Sequence, residues 1–151
     1  MLGQYAEELS VSTRSRGFYE ITREVGELVS ASGFKTGLLT LHVRHTSASL
    51  LIQENADPTV RTDLESIFSR LAPDGDSVYE HNYEGDDDMS AHIRTALTSV
   101  NLSIPISGGS LVLGTCLLYT SDAADATPCV ALGGRRIIKK KGGGGGGGGG
   151  G

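Results

Sequence analysis

The sequence predicts an α+β fold with a mostly antiparallel sheet and two to three helices. Three observations predict it. Residues 35–45 alternate apolar with polar side chains, the period of a half-buried strand. Ile21, Val25, Leu28 and Val29 recur at i, i+4, i+7 and i+8, one face of a helix. The segments then run strand, helix, two strands, two helices and hairpin, rather than alternating strand with helix, which suits antiparallel pairing.

The elements follow in order. Residues 9–16 alternate and read as a strand, and Gly17 punctuates them. Thr22 and Glu24 place polar groups at the start of the first helix, and Gly33 is a natural stop. In the strand over 35–45, Leu39, Leu41, Val43 and His45 share one face, while Thr40, His42 and Arg44 share the other. His42 therefore reads as a surface residue. Residues 49–55 give a second strand. Asp57-Pro58 starts a helix, because Asp accepts free N–H groups and Pro suits the first helical position. Val60, Leu64, Ile67, Phe68 and Leu71 form its expected buried stripe, and Pro73-Asp74-Gly75-Asp76 ends it. Residues 77–88 are polar and acidic, hence a loop. A short helix over 89–99 places Met89, Ile93, Ala96 and Leu97 on one side. Residues 102–106 and 110–113 are strands of a hairpin through Ser107-Gly108-Gly109, with Pro105 at an edge or bulge.

Charge is unevenly spread. The 151 residues carry a net charge of −5. Residues 116–151 hold five basic and two acidic side chains, so their +3 leaves −8 for residues 1–115. An acidic body is a poor match for nucleic acid. Arg135 to Lys141 is a basic cluster, but it lies wholly outside that body. Both cysteines, Cys116 and Cys129, lie there too, so the body has neither a disulfide framework nor a thiolate metal site. The first residues are polar, with Glu7 and Glu8, which reads against a secretory leader. No apolar run reaches the ~20 residues of a membrane span. These features give the expectation of a cytoplasmic protein that binds neither membrane nor nucleic acid.

Three constellations could carry chemistry. In His45-Thr46-Ser47-Ala48-Ser49, polar groups gather where an apolar strand ends. His45 could be a general base or a metal ligand. Thr46, Ser47 and Ser49 offer hydroxyls to a phosphate or carboxylate. The same residues also read as a satisfied core histidine beside a Ser/Thr-rich turn. In Glu54-Asn55-Ala56-Asp57-Pro58, capping suffices to explain Asp57, though a helix N-terminus also welcomes anions. Asn55 is the candidate substrate contact there. The segment 81–92 holds His81, Glu84, Asp86, Asp87, Asp88 and His92. It reads either as a solvated acidic loop leading into a helix or as one wall of a cleft. Asp86, Asp87 and Asp88 favour the start of the helix through its dipole. Together His45, Asp57, His81 and His92 are the candidate metal ligands, for Mg or Zn, and His45 and His92 the candidate catalytic pair. A phosphate-binding glycine loop and a dinucleotide fingerprint are both missing from the sequence.

These segments resemble the YjbQ family, whose members carry the name secondary thiamine-phosphate synthase. The resemblance runs through RGFYEIT (16–22), KTGLLTLHVRHTSASLLIQENADPTVRTDLE (35–65), YEHNYEGDDDMSAHIR (79–94), LSIPI (102–106) and LVLGT (111–115). It implies a sandwich-like sheet and assembly as a homotrimer with pockets between subunits. It implies a weak transferase that joins a thiazole phosphate to a hydroxymethylpyrimidine diphosphate and releases pyrophosphate, with a divalent cation stabilising the leaving group. His45, Asp57, His81 and His92 carry over as pocket residues, and Thr46, Ser47 and Ser49 as substrate contacts. Two other readings share these residues: a different metal-dependent enzyme such as a hydrolase, and a non-catalytic trimer that binds a small phosphorylated ligand.

The resemblance stops at Thr115. Family members continue with Trp-Gln and further strand sequence, whereas this chain has no Trp and runs into Cys116. Residues 116–125 and 129–141 resemble reading frames of transposon-based sequencing adapters, and residues 142–151 are all Gly. The expectation is therefore a YjbQ-like domain over 1–115, truncated so that its final strands are missing. A disordered, non-biological tail would then occupy 116–151. A sheet cut in this way would leave open edges and an unstable product.

Overall fold

The computed structural model describes residues 2–54, 57–114, 116–122 and 129–134, the last two stretches as backbone alone. Eight strands and three helices are seen among them. They are β1 (Ala6–Ser10), β2 (Gly17–Glu20), α1 (Thr22–Ser32), β3 (Thr36–Val43), β4 (Ala48–Glu54) and α2 (Pro58–Leu71). Next come α3 (Asp88–Leu97), β5 (Asn101–Ser107), β6 (Ser110–Leu111), β7 (Cys116–Asp122) and β8 (Cys129–Gly134). A five-stranded sheet has the order β1-β8-β3-β5-β6, and a three-stranded sheet the order β2-β7-β4. Every pairing is antiparallel. The α+β class and the antiparallel sheet stand as the sequence predicts.

One core serves both sheets. Ile21, Val25 and Val29 on the α1 side meet Leu39, Leu41 and Val43 of β3, Ala48 and Leu50 of β4, and Ile104 and Ile106 of β5. In β3 the buried residues are the alternating set that the period predicts. Leu41 is fully buried, and Leu41→Ala at such a site costs about 2–5 kcal/mol. α1 ends at Gly33, whose φ of 75° is left-handed and whose N–H donates to the Ser30 carbonyl. At the start of α2, Asp57 accepts the Thr59 N–H at 2.8 Å, as a cap should.

The structure departs from the sequence in five places. The first strand ends at Ser10, and β2 forms where Gly17 reads as punctuation. The stripe expected on α2 is only partly covered: Ile67 is 48% and Leu71 59% exposed. α2 rests on β2, with the Phe68 and Phe18 rings 6.0 Å apart, and a helix lying on one strand covers a narrow line of side chains. On α3 the buried residues are Ser90, Ala91 and Arg94, whereas Ala96 and Leu97 are exposed. The residues after α3 are tied to β4 by the Leu50–Ser99 bridge and by Thr98 Oγ1 donating to Ser49 Oγ at 2.5 Å, which fixes the rotation of the helix. Pro105 lies just beyond the two paired residues of β6, and its carbonyl accepts the Val112 N–H at 3.0 Å.

The last departure is the largest. The final strands expected to be missing are present as backbone. β7 lies between β2 and β4, and β8 between β1 and β3. Ladder hydrogen bonds join main chain to main chain and require no particular side chain apart from avoiding Pro. The rest of the tail expectation, over 123–128 and 135–151, lies outside the described residues.

Candidate metal centre and adjoining cleft

α3 builds most of the site. Asp88 and His92 stand four residues apart, one turn of helix, so both side chains share a face. His81 and Glu84 approach that face from the preceding loop. The loop is closed by the Gly75 N–H donating to the Asp86 carbonyl at 2.8 Å. Gly85, with φ of 120°, turns it into the helix, a conformation that favours glycine.

The ligand atoms converge. The Nε2 atom of His81 lies 2.7 Å from Asp88 Oδ2, and that of His92 lies 3.1 Å from the same oxygen. His81 Nε2 is also 3.6 Å from Glu84 Oε2. One donor atom from each of His81, Glu84, Asp88 and His92 falls within 4.8 Å of the others. Two ligands held tetrahedrally at about 2.0–2.1 Å from one ion would lie about 3.3 Å apart, so a cation here would need the 2.7 Å His81–Asp88 hydrogen bond to open and the more distant donors to draw in. Asp88 is the least exposed of the four, at 19% of its side chain. Burial pushes its carboxyl up, but the His81 hydrogen bond and the nearby His92 outweigh that and hold it below the usual carboxylate range.

Hydrogen bonding also selects the ring tautomers. His92 Nδ1 lies 2.9 Å from the Thr46 carbonyl, which can only accept, so Nδ1 carries a proton. A neutral His92 therefore keeps its Nε2 lone pair free for a cation, the tautomer a metal-ligating histidine needs. Without a cation, the 3.1 Å contact with Asp88 is a hydrogen bond only when Nε2 also carries a proton. His45 is oriented the opposite way. Its Nδ1 accepts the Ser47 backbone N–H at 3.0 Å, with Ser47 Oγ 2.9 Å away. Neutral His45 thus keeps its proton on Nε2, as a hydrogen-bond donor.

A cleft of about 690 Å³ adjoins the cluster, lined by His42, Arg44, His45, Thr46, His92 and Thr95 among others. His42 lines the same cleft as His45, although alternation puts them on opposite faces. The physical reason is that β3 stops at Val43, so its period does not extend to His45.

The structure thus brings His81 and His92 together with Glu84 and Asp88. It leaves His45 and Asp57 outside that group. His45 and Thr46 line the cleft beside it. Ser47 and Ser49 are buried and spend their hydroxyls on His45 and Thr98. Asp57 caps α2, and side-chain and backbone hydrogen bonds from Thr59 hold its carboxyl below the usual carboxylate range. Asn55 lies outside the described residues. Glu84 and Asp88 enter the site as ligand candidates that the sequence pattern assigns to charge alone. The spacing Asp88-x-x-x-His92 is the signal that could have found one of them.

The family model described as UPF0047 protein YjbQ-like matches residues 7–118. The chain belongs to the YjbQ-like UPF0047 family. It is 50% identical over 112 residues to the UPF0047 protein sll1880 of Synechocystis, covering 74% of this chain and 76% of that one. It is 46% identical over 112 residues to the UPF0047 protein YjbQ of Salmonella typhimurium, covering 74% and 80%. Among solved structures, the conserved hypothetical protein TT1486 of Thermus thermophilus superposes with a TM-score of 0.74 at 35% identity, covering 83% of this chain and 97% of that one. The hypothetical protein APE1520 of Aeropyrum pernix superposes with a TM-score of 0.76 at 26% identity, covering 85% and 96%. The family's fold is therefore the fold of this chain.

Proposed function

We propose that the chain is a metal-dependent enzyme acting on small phosphorylated molecules. Within that class, we propose the weak thiamine-phosphate synthase-like transfer that the family resemblance implies. The observation that supports this reading best is the convergence of His81, Glu84, Asp88 and His92 beside a cleft that holds His45 and Arg44. Two imidazole nitrogens and two carboxylates suit zinc better than magnesium, which prefers an all-oxygen octahedron. A cation bound there would neutralise charge on a leaving diphosphate. The protein's own groups do the rest. His45 Nε2–H and the Arg44 guanidinium donate to phosphate oxygens, and Thr46 holds His92 in its ligating tautomer. The thiazole nitrogen supplies the electron pair for the new C–N bond. The C–O bond to the diphosphate breaks, and its pair leaves with pyrophosphate.

The test is to supply the zinc-loaded protein with both substrates and measure pyrophosphate over time. The expected outcome is slow release that is abolished by chelator and by His92→Ala. A loaded protein that releases none overturns the transferase reading. Orthophosphate release from a panel of phosphoesters would then point to a hydrolase.

Assembly and the tail belong to the same proposal. The exposed Ile67 and Leu71 of α2 support a homotrimer in which such residues are covered, which sedimentation equilibrium would test. The family match ends at residue 118, three residues past the Thr115 at which the resemblance stops, and we propose a foreign origin for the residues that follow. Resequencing the source DNA across those codons should then show Trp-Gln after Thr115. Intact codons for Cys116 onward would overturn that origin. Among the described residues, no helix is long and apolar enough to cross a membrane.

A further inference from the structure

A second cleft lies where α2, β2 and the back of α3 meet. Its volume is about 520 Å³, and its walls include Arg16, Arg70, Arg94, Thr62 and Ser66. Arg94 decides its character. The residue is only 8% exposed, and its Nη2–H donates to the Ala72 carbonyl at 3.2 Å. Its Nε–H is buried with no partner among the described residues. A guanidinium carries five N–H donors and no acceptor, and a buried donor left unmet is costly. Arg16 stands beside it and pairs with Asp74, which also accepts from Ser90 Oγ. Burial and the neighbouring Arg16 both lower the Arg94 pKa, and Asp74 offsets only part of that. Asp74 is thus paired with Arg16, while the Arg94 guanidinium beside them is held by the Ala72 carbonyl. Glu65 is the acidic side chain lining the cleft, and it is exposed.

We propose that this cleft is an oxyanion site that binds a phosphate group. Paired guanidiniums supply forked donors to adjacent phosphate oxygens, and the Thr62 and Ser66 hydroxyls add neutral ones. The site shares no residue with the His81–His92 cluster, so it stands or falls separately from the proposed metal chemistry.

Thermal unfolding of the full chain tests it, titrated with inorganic phosphate and with glycerol 3-phosphate against sodium chloride at matched ionic strength. A ligand that binds only the folded state raises the midpoint in a saturable way. The expected result is such a rise with phosphate, unchanged by chelator and by His92→Ala. Arg16→Gln and the exposed Arg70→Gln should each weaken it, Arg16→Gln by about tenfold or more. Arg94→Met should abolish it, and the two milder variants keep the test valid if that one fails to fold. A stronger response to glycerol 3-phosphate assigns a phosphate monoester, and a stronger response to inorganic phosphate assigns the free ion. An equal rise with chloride, full binding by both Gln variants, or loss of binding in His92→Ala would each overturn the proposal.

Discussion

The two faces of α3 carry polar side chains for opposite reasons. Asp88 and His92 stand one turn apart on the face that meets His81 and Glu84, and His92 also lines the cleft at the end of β3. Ser90 and Arg94 also stand one turn apart, but they look inward and are buried. At about 100° per residue, the second pair lies about 200° around the helix from the first. On the outer face, His81 and His92 both bring Nε2 to one oxygen of Asp88. On the inner face, positive charge exceeds what Asp74 supplies. We thus propose a cation on one side of this short helix and an anion on the other. Charge alone does not reveal a polar residue's role; its role depends on whether its partners are already complete.

The strongest way to break the comparison is to remove the shared carboxylate. Asp88→Asn should lower zinc affinity by about 100-fold or more, at or above the cost of losing an outer partner of a metal ligand. A competition titration with a chromophoric chelator would measure it. Phosphate binding at the inner face should not move.

Ala91 sits between the faces and is buried, on a helix that packs on β4. Ala91→Leu should cost about 1–3 kcal/mol in urea unfolding through overpacking. It should also weaken zinc and phosphate together, because both faces ride on one helix. A variant that weakens only one would break the idea of a shared platform.

Asp74→Ala isolates the inner face. It leaves Ser90 Oγ and Arg16 without their carboxylate and should destabilise by about 1–3 kcal/mol. Zinc affinity should be unchanged in the same preparation.

The smallest effect is acid sensitivity. Asp88 is held below its ordinary value, so its contribution to stability is present above the usual carboxylate pKa of about 3.9. That contribution is lost as pH falls through the lowered value. Chemical denaturation of the metal-free protein between about pH 5 and 2 should show a shallower loss in Asp88→Asn. An unchanged slope would mean that Asp88 gains nothing from His81 and His92.

Much of the frame is legible in the sequence. Leu39, Leu41 and Val43 alternate because a strand has period 2, and they are buried as that period requires. Gly33 and Asp57-Pro58 mark helix ends because their backbone and side-chain chemistry fits few other places. The site is half legible. His81 and His92 stand out as rare side chains in a polar loop and a short helix. Glu84 and Asp88 read as ordinary charge, and His45 as a companion of the other histidines by residue type. Residue type does not give the direction of a ring: the Ser47 N–H turns His45 Nδ1 away from ligation, and the Thr46 carbonyl turns His92 toward it.

By itself the sequence determined the antiparallel α+β frame, the family, the helix ends and the candidate histidines, because these rest on local periods, local backbone chemistry and residue type. Only the tertiary structure decided which face of α3 is buried, which carboxylates join the histidines, and that Arg94 lines a second cleft. The reason is physical. The rotation of a ten-residue helix is set by what it is tied to, here β4 through Leu50, Ser49 and Thr98, and those contacts join residues 49 positions apart in the chain.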